Sequence, residues 1–192
     1  MTRQSTLATA IITLSLLLFA GTRGVTMPLR RSYSFGHGEK PDKGLGQLNC
    51  QGLNRALALP SVIAKTFGRP SAIFAPNPSQ QKEAGRVSYD YVRPLATIEP
   101  TAIFFGLPIN VNFGLTDTDG VRAAIEEPIY RNAIVLVAWE HKSIETIARA
   151  LFAAHGGDPA LVPKWPKDDF DNVRHQDQRD RKRRKSDFCS PA

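Results

Sequence analysis

Hydrophobic and polar positions fall into blocks that read alternately as helix and strand. From Gly52 to Phe67, Leu53, Leu57, Val62 and Ile63 recur at helical spacing, and Pro60 is expected to bend the predicted helix. Ser71-Ala72-Ile73-Phe74-Ala75 is a short apolar run closed by Pro76, the pattern of a buried strand. Pro94 to Phe105 predicts a second helix, interrupted by Pro100, and Ile109 to Phe113 a weakly alternating strand. Gly120 to Ile129 carries helix formers, with Pro128 near its end.

The most regular unit comes next. Ala133-Ile134-Val135-Leu136-Val137-Ala138-Trp139 is continuously apolar and rich in β-branched residues, as a parallel strand covered on both faces should be. Ser143 then reads as the N-cap of a helix whose Ile144, Ile147, Ala148, Leu151 and Phe152 form one apolar stripe. Gly156 and Gly157 stop it. His141 falls in the loop between that strand and helix. The alternation predicts an α/β domain with a mainly parallel sheet. No internal repeat is visible.

The two ends differ from this middle. Leu7 to Ala20 is an apolar run behind Arg3, followed by Gly21, Thr22, Arg23 and Gly24. It is too short for a stable membrane span, which takes roughly 20 apolar residues. Residues 1–24 instead resemble a secretory signal peptide, so export is expected, with a cytoplasmic protein as the alternative. From Arg174 onward the apolar pattern vanishes, which predicts a domain over residues 25–173 and a basic, disordered tail over 174–192.

Composition narrows the classes. The chain has 192 residues, long enough for one domain with a real core, and its 22% charged fraction excludes wholesale disorder. Cys50 and Cys189 lie far apart, which excludes a disulfide scaffold and a zinc module. The net charge of +7 is uneven: Arg174 to Lys185 holds seven basic residues against Asp177 and Asp180, so that stretch alone supplies five of the seven charges. The body is close to neutral, and nucleic acid is not an expected partner of anything but the tail. The cluster Arg181 to Lys185 fits a nuclear signal or a phosphate-binding tail, or simply a solvated run.

Three side chains stand out as chemistry. Ligands of parallel sheets sit beyond the carboxyl ends of the strands, where His141 is placed, beside a helix N-terminus that favours anions. His37 lies in Phe35-Gly36-His37-Gly38-Glu39, where flanking glycines let a ligand approach the backbone closely. Arg93, in Tyr91-Val92-Arg93-Pro94, carries a guanidinium suited to gripping two phosphate oxygens. Singly, each has a plainer reading as a turn residue or a surface charge. A metal site drawn from His37, Glu39, His141 and Asp117 has no close His-x-x-x-His pair or cysteine cluster behind it.

Taken in order, these residues resemble the histidine phosphatase superfamily, also called phosphoglycerate-mutase-like. His37-Gly38-Glu39 is similar to its Arg-His-Gly signature, and Leu48-Asn49-Cys50-Gln51-Gly52 to the Leu-Thr-x-x-Gly that opens its first helix. Arg93-Pro94-Leu95-Ala96-Thr97-Ile98-Glu99 resembles its Arg-x-x-x-Thr-Ala-Glu segment, and Val137-Ala138-Trp139-Glu140-His141 its strand ending in the second catalytic histidine. The resemblance runs from about His37 to about Asp171.

It implies a three-layer α/β sandwich, no cofactor, and a phosphorylated small molecule or other phosphoester as substrate. His37 would attack phosphorus to give a phosphohistidine that water hydrolyses, and Arg93, Gly38 and His141 would hold phosphate oxygens. A carboxylic acid would protonate the leaving oxygen; Glu140 is taken with the two histidines as catalytic, and Glu39, Asp117 and Asp119 remain conceivable donors.

Three departures matter. Gly36 stands where the superfamily has arginine, and losing that bidentate contact costs on the order of 3 kcal/mol, about a hundredfold in rate. Ser32-Tyr33-Ser34-Phe35 is too polar for the expected first strand. The strand expected after Asp168 to Asp171 coincides with the start of the polar tail. The expected function is therefore a weakened phosphomonoester hydrolase, the alternative being an inactive relative that binds a phosphorylated ligand or a protein partner.

Overall fold

The computed structural model describes residues 30–177 except 85 and 168. The predicted signal segment and the tail beyond 177 lie outside the described residues.

A five-stranded sheet in the order β5-β2-β6-β1-β7 forms the middle layer. Its strands are β1 (Arg31–Gly36), β2 (Ala72–Phe74), β5 (Ile109–Asn110), β6 (Ile134–Trp139) and β7 (Val173–Asp177). All pairings are parallel except that of β7, which runs antiparallel to β1. The continuous apolar character of β6 is explained by its two covered faces. Val135, Val137 and Trp139 join a core with α3 (Thr118–Ile125) and α4 (His141–Ala154). Ile134, Leu136 and Ala138 join a second core with α1 (Cys50–Thr66) and α2 (Arg93–Phe105). Helices on both faces of a mainly parallel sheet make the expected three-layer α/β sandwich.

β1 is a central strand despite its polar appearance. Tyr33 and Phe35 enter the core shared with α1 and α2. Ser32 and Ser34, on the opposite face, are buried with their hydroxyls unpartnered among the described residues. Small side chains there let α4 pack close, so one apolar face and one compact face replace the two apolar faces of β6. Counting apolar residues along the segment hides this.

The boundary expected at 173 falls inside the sheet. Arg174 to Asp177 continue Val173 as β7, in register with β1 from Phe35↔Val173 to Arg31↔Asp177. Alternation accounts for it: Val173 is buried, and the His175 ring stacks on Tyr33 at 4.6 Å. Polar residues thus form an edge strand, and the strand expected after Asp171 is present.

Several local readings shift. α4 begins at His141 with Glu140 as its N-cap, so His141 is helical rather than in a loop. Ser143 is its third residue, and its hydroxyl donates to the Leu115 carbonyl at 3.3 Å. α3 stops at Ile125, ahead of a short 3-10 turn at Pro128–Tyr130. A hairpin of β3 (Gln81–Ala84) and β4 (Val87–Asp90), which no periodicity announced, stands apart from the main sheet.

α1 buries Gly52, Ala56, Pro60 and Ile63, leaving Leu53 and Leu57 exposed. The small residues are required by a close approach. A Cβ on Gly52 would stand 2.4 Å from the Glu39 carbonyl oxygen, inside the loop that carries His37. Asn49 fixes the same junction, its side chain accepting from the Gly52 N–H at 2.8 Å while its own N–H donates to the Glu39 carbonyl at 2.9 Å. Gly52→Ala is therefore expected to cost about 2–3 kcal/mol through overpacking. A thermal melt should show this as a loss of roughly 4–12 °C, and an unchanged midpoint would mean that the loop yields freely.

Candidate active site

Parallel register places the chemistry. Gly36 and Trp139 are paired at the carboxyl ends of the neighbouring strands β1 and β6, so the residues that follow, His37 on one and Glu140 and His141 on the other, emerge side by side. Arg93 arrives from the first turn of α2. All four line one pocket of about 150 Å³. The structure thus brings together His37, Arg93, Glu140 and His141, residues separated by up to 104 positions in the chain.

His37 is buried, and its Nδ1 lies 2.8 Å from the Gly38 carbonyl oxygen. A carbonyl only accepts, so Nδ1 carries the proton and Nε2 keeps its lone pair. Burial first, and then the Arg93 charge, push the imidazole down to about 4, against an opposing hydrogen bond to Gly38. The ring is a neutral base at neutral pH.

Arg93 is held from two sides. Its guanidinium donates to the Gly44 carbonyl at 2.8 Å and lies 4.6 Å from the centre of the Tyr91 ring. The Val92 and Arg93 N–H groups both donate to the Gly46 carbonyl, in a run where Gly44, Leu45 and Gly46 all take left-handed backbone. Nε of Arg93 is buried without a partner among the described residues, a donor available to a ligand.

Glu140 accepts from the Lys82 ammonium, which the β3–β4 hairpin delivers to the pocket. Burial alone would raise the Glu140 carboxyl, but the hydrogen bond and charge of Lys82 override it and hold the group below the usual carboxylate range. Burial also lowers His141, partly offset by the Glu140 charge.

The remaining candidates are employed elsewhere. Gly38 does not line the pocket: its N–H donates to Thr97 Oγ1 at 3.0 Å, and its α-carbon packs against Gly52. Glu39 is buried against Arg55, which donates to both carboxylate oxygens and also bridges to Asp171. Asp117 caps α3 through the Gly120 N–H at 2.9 Å, and Asp119 is exposed. Of the four candidate carboxylates, Glu140 is the one that lines the pocket with the histidines. Among the described residues no group of three or more His, Cys, Asp or Glu side chains is arranged to hold a metal ion.

Lys82, Tyr91 and Trp165 are among the pocket residues that sequence reasoning missed. Tyr91 stands two residues before Arg93, where nothing in the local pattern marks it for the pocket. Lys82 and Trp165 come from segments without periodicity and reach the pocket only through long-range packing.

The fold has known counterparts. A structure assigned as the phosphohistidine phosphatase SixA from Agrobacterium tumefaciens superposes with a TM-score of 0.52 at 19% identity, covering 84% of this chain and 98% of that one. The fold is that of the histidine phosphatases. A mycobacterial glucosyl-3-phosphoglycerate phosphatase, in its complex with inorganic phosphate, superposes with a TM-score of 0.50 at 18% identity over 76% of this chain and 88% of that one. No protein-family model and no curated protein matches the sequence.

Within this histidine phosphatase fold, position 36 is occupied in an unexpected way. A Cβ on Gly36 would meet Trp165 Cζ2 at 3.4 Å, an ordinary contact, but a longer side chain would run into the indole. Trp165 is itself buried and pinned by an Nε1–H bond to the Asp169 carbonyl at 2.9 Å. The space an arginine would use is a tryptophan wall. No helix among the described residues is long and apolar enough to cross a membrane.

Proposed function

We propose that this chain is a phosphomonoester hydrolase of the histidine phosphatase superfamily that works through a phosphohistidine at His37. One observation carries the reading. The Nδ1–H of a buried, neutral His37 is committed to the Gly38 carbonyl, which leaves Nε2 as a free nucleophile in a pocket shared with Arg93 and His141. Nε2 attacks phosphorus in line with the leaving oxygen. Arg93 and His141 hold the equatorial oxygens and offset the charge that spreads over them in the transition state. Water then attacks the phosphohistidine and releases orthophosphate. Substrates are phosphoesters small enough for their phosphoryl group to enter the pocket.

The test is hydrolysis of p-nitrophenyl phosphate with and without chelator across a pH series. Metal-independent turnover is expected. Because His37 must be unprotonated to attack, turnover should fall as pH drops through about 4 rather than through the ordinary 6.5. An acid limb near the ordinary histidine value would assign the nucleophile to a less buried group.

Gly36 and Trp165 favour a second reading, a protein that binds a phosphorylated ligand or a partner without turning it over. Vanadate binding dependent on Arg93, without hydrolysis of any phosphoester, would select it.

A further inference from the structure

Lys82 lies 58 positions from Glu140 in the chain, yet its ammonium donates to Glu140 Oε1 inside the pocket. The same ammonium stands 5.0 Å from the centre of the Tyr91 ring, and the Arg93 guanidinium 4.6 Å from it. Two cations thus share one aromatic wall, and His37 meets that ring edge-on at 6.0 Å. The partners are unequally placed: the Lys82 side chain is 35% exposed and that of Glu140 15%. A lysine on its flexible stem can redirect its ammonium, whereas the carboxylate follows directly on β6, in the pocket it shares with both histidines. A phosphoryl dianion entering beside His37 and Arg93 is a stronger partner for an ammonium than a single carboxylate.

We propose that Lys82 is a phosphoryl ligand shared with Glu140: when a phosphoester binds, the ammonium transfers from the carboxylate to the phosphoryl oxygens, and Glu140 becomes the proton donor to the leaving oxygen. The inference rests on the phosphatase reading above. It supplies, from the hairpin, a cationic contact that Gly36 does not make. Deprived of its cation in a buried setting, Glu140 takes up one proton from solvent. As the bond from phosphorus to the leaving oxygen breaks, its electron pair stays on that oxygen, which receives the Glu140 proton. The Nε2 lone pair of His37 forms the new bond to phosphorus. In the second step the Glu140 carboxylate takes a proton from the attacking water, and His37 departs neutral. When orthophosphate leaves, Lys82 returns and the extra proton is released. The charged and titratable groups facing Glu140 are Lys82 from β3, Tyr91 ahead of α2, His37 after β1 and His141 on α4; Arg93, Lys40, Glu83, Tyr89, Lys167 and Asp169 line the same pocket.

The experiment measures orthovanadate and inorganic phosphate affinity at neutral pH for the unaltered chain, Lys82→Met, Lys82→Arg and Glu140→Gln. Lys82→Met should weaken binding by about tenfold or more, the scale of one charged hydrogen bond, and Lys82→Arg should restore part of it. Glu140→Gln should tighten binding, because the competitor for Lys82 is gone. A purely structural ion pair would move both affinities in the same direction or neither, and that result overturns the proposal. Glu140→Gln should also slow hydrolysis of an alkyl phosphate far more than of p-nitrophenyl phosphate, whose leaving phenolate needs no proton. Equal losses on the two esters remove Glu140 as donor. An unaltered chain that turns over neither ester ends the phosphatase reading and the donor step together, while the opposed affinity shifts still decide whether Lys82 is a ligand.

Discussion

His37→Ala is expected to lower phosphoester turnover by about 10⁴-fold or more, the scale seen when the nucleophile of an assembled site is removed. Rapid quenching of the unaltered chain with a labelled phosphoester should trap an acid-labile, base-stable label, and the variant should carry none. The reason lies in the tautomer: with Nδ1–H fixed on the Gly38 carbonyl, Nε2 is the ring's one free nucleophilic nitrogen. His141 cannot substitute in place, because it sits in the first turn of α4, beside Glu140 rather than on the loop after β1. Orthovanadate binding separates chemistry from collapse of the site. A variant that binds vanadate but does not label has lost the nucleophile alone. Turnover that survives the substitution undiminished would remove the phosphohistidine mechanism.

The second large effect concerns β7. A chain ending at Asn172 is expected to be less stable than one ending at Asp177 by about 3–5 kcal/mol, seen as a melting point lower by roughly 6–20 °C. Between those ends lie five residues paired with β1, the buried Val173 and the stacking of His175 on Tyr33. Arg174 also donates to the Pro163 carbonyl at 2.9 Å and lies 5.3 Å from the centre of the Trp165 ring, tying the strand to the pocket wall. Without β7, the strand that positions His37 becomes an unprotected edge. Amide exchange along Arg31 to Gly36 should rise in the shorter chain. Equal melting points for the two would show that β1 is held by β6 alone.

How much of this was legible beforehand depended on the range of the interactions. β6 and α4 were read almost residue by residue, because a strand covered on both faces and a helix with one buried stripe write their periodicity locally. His37, Arg93, Glu140 and His141 were legible as a set, since each lies at an element end whose neighbours carry a motif, and parallel strand ends bring such residues together. Gly38, a phosphate ligand by the resemblance, does not line the pocket, and its N–H goes to Thr97 Oγ1; no local pattern marks which way a backbone N–H points.

What remained was decided in three dimensions. β1 looked too polar to be central, yet Ser32 and Ser34 are buried because α4 needs small side chains beneath it. β7 looked like the start of a charged tail, yet it pairs because β1 offers an open row of backbone hydrogen bonds on that side, and backbone groups pair with little regard to side-chain polarity. Trp165 standing against Gly36, and Lys82 closing on Glu140, leave no local trace, since one partner of each pair comes from a segment without periodicity. The sequence by itself determined the layered α/β frame and the four residues at its strand and helix ends, through short-range periodicity and chain direction. Which carboxylate lines the pocket with the histidines, which cation answers it and what packs against Gly36 were decided by tertiary structure, because charge and volume are matched there between segments that only the folded sheet brings into contact.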